Sequence, residues 1–183
     1  MMTTWLNHAV LETKRVRVIV LWLLCTASPV FSADLTAVRN LAEQCRGAQS
    51  QEKVCVVYVS QPGCPYCARM EKEVLGPLQK VPWLMESIEL FELGWEFQQV
   101  AGFDSQWVSG SELMAALQVS GAPTLVFLDG EGNPLTDPIL GYQSPDFFWF
   151  YLERAIDLAN QQLAQSKKAS SLGAEGGGRA SAP

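Results

Sequence analysis

The sequence predicts an α/β fold, a central mixed β-sheet flanked by helices. Three observations lead there. Runs with strand character alternate with runs at helical spacing from residue 34 to about residue 164. An apolar run at 54–60 (Val-Cys-Val-Val-Tyr-Val-Ser) passes through Gln61-Pro-Gly into Cys64-Pro65-Tyr66-Cys67 and then a helix-forming stretch. A second apolar run, at 124–128, is entered through Ala122-Pro123-Thr124 and left through Asp129-Gly-Glu-Gly-Asn133, a strong hairpin signal.

Residues 1–33 read as a signal peptide rather than as part of the fold. Lys14, Arg15 and Arg17 form a basic n-region, 18–25 is an apolar core, and small or helix-breaking residues follow to Ala33. The core is too short for a membrane span, which needs about 20 residues, and it fits a signal cleaved after Ser32 or Ala33. Large Leu24 ahead of Cys25 disfavours lipid attachment at that cysteine. An uncleaved signal acting as an anchor is the alternative, and only then is a membrane involved. Removing Glu12, Lys14, Arg15 and Arg17 with the signal moves the formal net charge from −6 to −8. Such a surface repels phosphate backbones, so no nucleic-acid partner is expected. The roughly 130 ordered residues that remain suit one domain with one core.

Within that domain, Leu35, Val38, Leu41 and Ala42 fall at helical spacing and predict a helix over 34–45, capped by Asp34 or Thr36 and ended by Gly47. After the strand at 54–60, Pro62 and Gly63 break the chain. Cys64 then takes the N-cap of the next helix and Pro65 its first position, where the missing N–H costs nothing. Met70, Val74 and Leu75 continue an apolar stripe until Gly76-Pro77 breaks the helix. One or two helical turns are expected around Pro82 within 78–85. Residues 87–93 alternate apolar and acidic side chains, a strand with one wet face, which puts Glu89 and Glu92 in solvent. Residues 94–110, with Trp95, Phe97, Phe103 and Trp107, read as a long aromatic loop. Ser111 is expected to cap a short helix at 113–117.

Pro123 precedes the second apolar strand, where a proline is tolerated because it need not donate to the ladder. Residues 134–140 are expected to return as a strand, and Pro145 opens a last helix behind a Ser144 cap. From 165 to 183 the chain is Gln/Ser/Lys-rich, then Gly/Ala/Ser-rich. Nothing there buries a core, and a disordered tail is expected.

Chemistry concentrates at the Cys-x-x-Cys. The spacing puts Cys64 at a helix N-terminus and Cys67 one turn in, close enough to close a small disulfide. Free N–H groups and the positive helix end favour a thiolate, most strongly at the first cysteine. Cys64 is therefore expected to be the nucleophile and Cys67 the resolving thiol, with Pro65 and Tyr66 tuning the pair. A zinc site wants four ligands; the sole histidine, His8, lies in the signal and no second Cys-x-x-Cys exists, so no metal site is assigned. A two-coordinate copper(I) site and a purely structural disulfide are the other readings of the two thiols. Cys45 and Cys55 read either as a structural disulfide, in keeping with export and four mature cysteines, or as two small core residues.

The order helix, strand, Cys-Pro-Tyr-Cys helix, strand, helix, Ala122-Pro123-Thr124 strand, hairpin strand and helix, within a domain expected over 34–164, resembles the thioredoxin superfamily over most of 35–160. The resemblance implies a cis proline at Pro123, beside the dithiol, with Ala122 and Thr124 helping to present a substrate chain. Ser60 to Arg69, with Gly141-Tyr142 and the helix start at Pro145, is similar to exported thioredoxin-like proteins of bacterial sulfur-oxidation (Sox) systems. That similarity implies a thiol–disulfide oxidoreductase in the periplasm of a Gram-negative bacterium. It would reduce exported disulfide-containing proteins with electrons from a membrane thiol donor, and use no cofactor beyond the Cys64–Cys67 pair. A disulfide-forming oxidase or isomerase, and a copper(I)- or haem-pathway thiol-binding module, are the alternatives. Two departures stand out. The dipeptide between the cysteines is Pro-Tyr, as in glutaredoxins, without an evident glutathione pattern. Tyr58 stands six residues before Cys64, where thioredoxins keep a buried carboxylate, so the proton acceptor for Cys67 is unassigned.

Overall fold

A computed structural model of the 183-residue chain describes residues 35–97 and 99–176, with side chains as far as 169. The signal-peptide reading of 1–33 and the last seven residues of the expected tail lie outside the described residues. Among the described residues no helix is long and apolar enough to cross a membrane.

The sheet has five strands in the order β1 (Thr36–Ala37), β3 (Ile88–Gly94), β2 (Val54–Ser60), β6 (Thr124–Leu128) and β7 (Ile139–Leu140). β1 and β2 run parallel to β3, while β6 runs antiparallel to β2 and β7 antiparallel to β6, so the sheet is mixed. All seven β2 residues are buried, because the strand is paired on both edges and covered on both faces. Its alternate side chains supply two cores. Val54, Val56 and Tyr58 pack with Met70, Leu75, Phe127, Leu152 and Ile156 on one face. Cys55, Val57 and Val59 pack with Leu41, Cys45, Leu93 and Met114 on the other. Each large apolar side chain so buried contributes roughly 1.5–3 kcal/mol relative to exposure.

The first element differs from the helix expected over 34–45. Thr36 and Ala37 pair with Phe91 and Glu92 as an edge strand, and the helix α1 is Leu41–Ser50. Its cap is Asn40, whose Oδ1 accepts from the Glu43 N–H at 3.2 Å, in place of Asp34 or Thr36. The helical spacing of Leu35 and Val38 is incidental, since Thr36 and Ala37 between them take the edge of β3 and the Val38 N–H bonds to the Glu92 carbonyl at 2.7 Å. Gly47 sits inside α1 and does not end it.

Helix α2 spans 65–78 as one rod: Pro65–Met70, a π-helical turn at Glu71–Leu75, and Gly76–Leu78. Gly76-Pro77 does not break it. The widened turn, in which the Gly76 N–H bonds to the Glu71 carbonyl, precedes the proline and accommodates its ring and missing N–H. Helix α3 (Pro82–Ser87) leads into β3. The aromatic segment at 94–110 carries a small ribbon of β4 (Val100–Ala101) against β5 (Trp107–Val108). Helix α4 (Gly110–Ala116) is capped by Ser109, two residues before the expected Ser111, through a capping box with Glu112.

The turn after β6 is closed by Asp129, whose Oδ1 accepts from the Glu131 and Asn133 N–H groups at 2.9 and 2.8 Å. The expected return strand at 134–140 is mostly unpaired. Pro134 makes an isolated bridge with Leu128, and only Ile139 and Leu140 form a ladder; prolines at 134 and 138 withhold donors on either side of the gap. Helix α5 (Pro145–Gly176) runs past the boundary expected at 164. Phe148, Leu152, Ile156, Ala159 and Leu163 bury one stripe. The packed helix then propagates into Ala, Gln and Lys, which cost little in a helix, and Lys167 meets Glu52 at 3.3 Å.

Cys45 of α1 and Cys55 of β2 are bridged, with Cα atoms 5.0 Å apart and both residues essentially inaccessible. A loop this short is worth roughly 2–3 kcal/mol to the folded state. The double substitution Cys45→Ala/Cys55→Ala should lower the unfolding free energy by about that much in a urea titration. An unchanged midpoint would mean the bridge is no staple.

Candidate active site

β2 ends at Ser60, and the turn through Pro62 and Gly63 delivers the chain to α2. Gly63 takes φ +70°, a left-handed conformation costly for a side chain. Cys64 then adopts extended backbone as the N-cap, with Pro65 at the first helical position. Its Sγ accepts from the Cys67 N–H at 3.1 Å. The two cysteines form a disulfide with Cα atoms 5.3 Å apart. Cys64 is half-buried, whereas Cys67 is 3 % exposed. When the pair is reduced, the N–H already directed at Cys64 Sγ and the helix end behind it stabilise a thiolate there. Tyr66 projects outward beside them, 55 % exposed.

The loop before β6 brings a second part to the same place. The Ala122–Pro123 peptide is cis, and the Ala122 carbonyl oxygen lies 3.9 Å from Cys64 Sγ. Thr124 is buried and donates to the Gly121 carbonyl at 2.7 Å, which tightens the turn. The Gly141 N–H bonds to the Pro123 carbonyl at 2.8 Å, tying β7 to the loop. The structure thus assembles Cys64, Cys67, Pro65, Tyr66, Ala122, Pro123 and Thr124 in one neighbourhood. It places Cys45 and Cys55 apart from them, in the core on the other face of the sheet. Among the described residues no group of three or more Cys, His, Asp or Glu is arranged to hold a metal ion.

Two polar clusters behind the dithiol were not singled out by sequence reasoning. In one, the Tyr142 hydroxyl donates to Glu73, which also pairs with Arg69 at 3.3 Å. The Arg69 guanidinium lies 5.4 Å from the Tyr142 ring centre. Hydrogen bonds from Tyr142 and Arg69 hold the Glu73 carboxyl below its ordinary range, and burial, with Glu73 beside it, pushes the Tyr142 phenol up to about 12. This cluster fastens α2 to the segment that follows β7.

In the other, the Tyr58 hydroxyl donates to Glu71 Oε1 at 2.9 Å, and Ser60 Oγ donates to Glu92 Oε1 at 2.7 Å. Tyr58 and Glu92 are directly opposite in the β2–β3 register. Glu92 is therefore not the solvated strand residue that the alternation predicted. β3 is an interior strand, and desolvation raises the Glu92 pKa despite the Ser60 bond, with Glu71 and Glu96 adding repulsion. Burial, then the charge of Glu71, raises the Tyr58 pKa well above that of an ordinary phenol. The spacing of Glu71 four residues after Cys67, on one helix face, was the available sequence signal.

The model of the thioredoxin-like domain family matches residues 41–156. No curated protein matches the chain. Similar solved structures include a thioredoxin-fold protein from Helicobacter pylori, 21% identical with a TM-score of 0.47, covering 64% of this chain and 81% of that one. The periplasmic thioredoxin SoxS from Paracoccus pantotrophus, in its reduced form, is 23% identical with a TM-score of 0.43, covering 58% and 99%. DsbH oxidoreductase is 18% identical with a TM-score of 0.46, covering 73% and 93%.

The raised pKa of Glu92 fixes the sign of a stability effect. An acid whose pKa is higher folded than unfolded destabilises the fold once ionised, so its cost is present above the raised pKa and vanishes below the unfolded value. Glu92→Gln, which retains an acceptor for Ser60, should stabilise the protein at neutral pH and converge with the parent as pH falls below about 4. Urea titrations across that range check this; a constant difference at all pH values would contradict it.

Proposed function

We propose that this chain, a member of the thioredoxin-like domain family and a thiol–disulfide oxidoreductase, works as an exported reductant of protein disulfides. The observation that carries the reading is the asymmetry of the pair. A half-buried Cys64 sulfur accepts a helix N-terminal N–H, a buried Cys67 stands behind it, and the cis-proline loop lies against the first sulfur. Cys64 thiolate attacks a substrate disulfide and forms a mixed disulfide. Cys67 then attacks Cys64, releasing the substrate with both its sulfurs reduced and leaving the Cys64–Cys67 disulfide. The chemistry resides in the cysteine pair and calls for no metal or organic cofactor.

The finer reading follows the sequence. The basic and apolar leader at 1–33 supports a periplasmic site of action, where disulfide-containing exported proteins are the partners. An oxidised Cys64–Cys67 pair must be re-reduced there, for which a membrane thiol donor is the fitting class of source. The similarity around Cys-Pro-Tyr-Cys supports a place beside Sox-type thioredoxins, with a sulfur-oxidation carrier among the substrates.

The direction is tested by the reduction potential of the Cys64–Cys67 pair, from a redox-buffer titration with thiol trapping. A reductant should sit at roughly −200 mV or lower, whereas a value near about −120 mV would assign an oxidase instead. Cys67→Ser should in addition trap substrates on Cys64 as mixed disulfides in cells. Recovery of none would contradict the exchange mechanism.

A further inference from the structure

Release of a mixed disulfide requires the Cys67 thiol to lose its proton, and Cys67 is buried, an environment that holds a thiol protonated. β2, directly beneath the pair, offers Tyr58 and Ser60 and no carboxylate. Glu71 is the acid that shares a cleft with Cys67. It follows Cys67 by four residues on the same helix face, and the two side chains open onto one cleft with Gln61, Cys64 and Ala68. The carboxylate is held in place by the Tyr58 hydroxyl at 2.9 Å. The π-helical turn begins at Glu71, so the helix widens where this side chain meets the strand. Proton transfer at a positioned side chain, directly or over one water, is worth about 10²–10⁴-fold in rate.

We infer that Glu71 is the proton acceptor for Cys67 in mixed-disulfide resolution, with Tyr58 as the residue that positions it. The inference rests on the exchange reaction proposed above. In the step, the Cys67 Sγ–H proton passes to the Glu71 carboxylate and the Cys67 thiolate attacks Cys64 Sγ. The Cys64–Cys67 bond forms while the bond from Cys64 to the substrate sulfur breaks, and its electron pair leaves on that sulfur. The substrate disulfide is the oxidant throughout. The departing thiolate then takes a proton from Glu71 or solvent. The groups that set the pH response are Tyr58 on β2, Glu92 with its Ser60 partner on β3, and Glu96 beyond it, together with Lys72 and Glu73 on the same helix.

The test uses the full chain reduced at Cys64–Cys67 and a small aromatic disulfide as probe, followed by stopped-flow absorbance. Attack by Cys64 releases one aromatic thiolate in a phase that depends on probe concentration. Resolution by Cys67 releases the second in a phase that does not. Glu71→Gln should slow the second phase about 100-fold at neutral pH and make it climb with pH toward the ionisation of the thiol itself, while the first phase is not slowed. Glu71→Asp, which restores a carboxylate, should recover part of the rate. Tyr58→Phe should give a smaller loss in the second phase alone, and it carries the test by itself if Glu71→Gln does not fold. A parent-like second phase and pH profile in these variants would overturn the role of Glu71 and leave the oxidoreductase reading standing. Equal slowing of both phases, as a disturbed helix would cause, would overturn it too. A parent protein that releases only one aromatic thiolate per chain would remove both readings.

Discussion

The structure depends on one strand being buried on every side. β2 is paired with β3 and β6 and covered by helices on both faces, so none of its seven residues is free to shift. A one-residue slip would exchange its two apolar sets between cores that differ in shape, Tyr58 with Phe127 on one face and the Cys45–Cys55 bridge on the other. That rigidity ends abruptly at Ser60. The loop through Gly63 then converts a fixed strand end into a fixed helix start, and Cys64 inherits its position from the sheet rather than from its own contacts. The cis-proline loop inherits its position likewise, because Thr124 pairs with Val59 at the same end of the same strand. The two halves of the site meet because one strand carries both.

Legibility followed from how local each signal was. The Cys64 cap, Pro65 at the first helical position, the β2 and β6 runs and the Asp129 turn were readable because each is decided within a few residues. Misreadings occurred where a distant partner decides. Leu35 to Val38 is compatible with a helix until β3 offers Thr36 and Ala37 an edge, and Pro77 reads as a breaker until the π-helical turn absorbs it. The continuation of α5 beyond residue 164 is not legible in a polar sequence that buries no core of its own, because it rests on a helix already packed through Leu163, which extends at little cost. The site divides the same way. The cysteines and Ala122-Pro123-Thr124 announce themselves as short motifs, but the Tyr58–Glu71 and Ser60–Glu92 pairs join a strand to a helix and to a neighbouring strand, and no window of sequence contains them.

Among the described residues two disulfides stand close along the chain with opposite exposure, one held by Cys55 within β2 and the other just past the end of that strand, and exchange chemistry explains how they coexist. A thiolate must reach a disulfide sulfur to attack it. Cys45 and Cys55 are sealed between α1 and the sheet, so among the described cysteines Cys64 alone offers an accessible sulfur. The bridge that stabilises the fold and the pair that exchanges are thereby separated by access, without any need for different intrinsic chemistry.

Electrostatics at the dithiol pull in two directions. The Cys67 N–H and the helix end stabilise a Cys64 thiolate, and a stabilised reduced form makes a pair more oxidising. Glu71 and Glu92 oppose this, since negative charge behind Cys67 raises the free energy of any thiolate in the pair. The net negative charge of the chain acts in the same sense at longer range, and salt weakens it over roughly 10 Å. A reductant needs the second influence to limit the first. The buried tyrosine in β2 makes that arrangement feasible: its hydroxyl holds Glu71 by a hydrogen bond in a place where a carboxylate on the strand would have faced full desolvation. On the helix the acid stands instead at the rim of the cleft that it shares with Cys64 and Cys67.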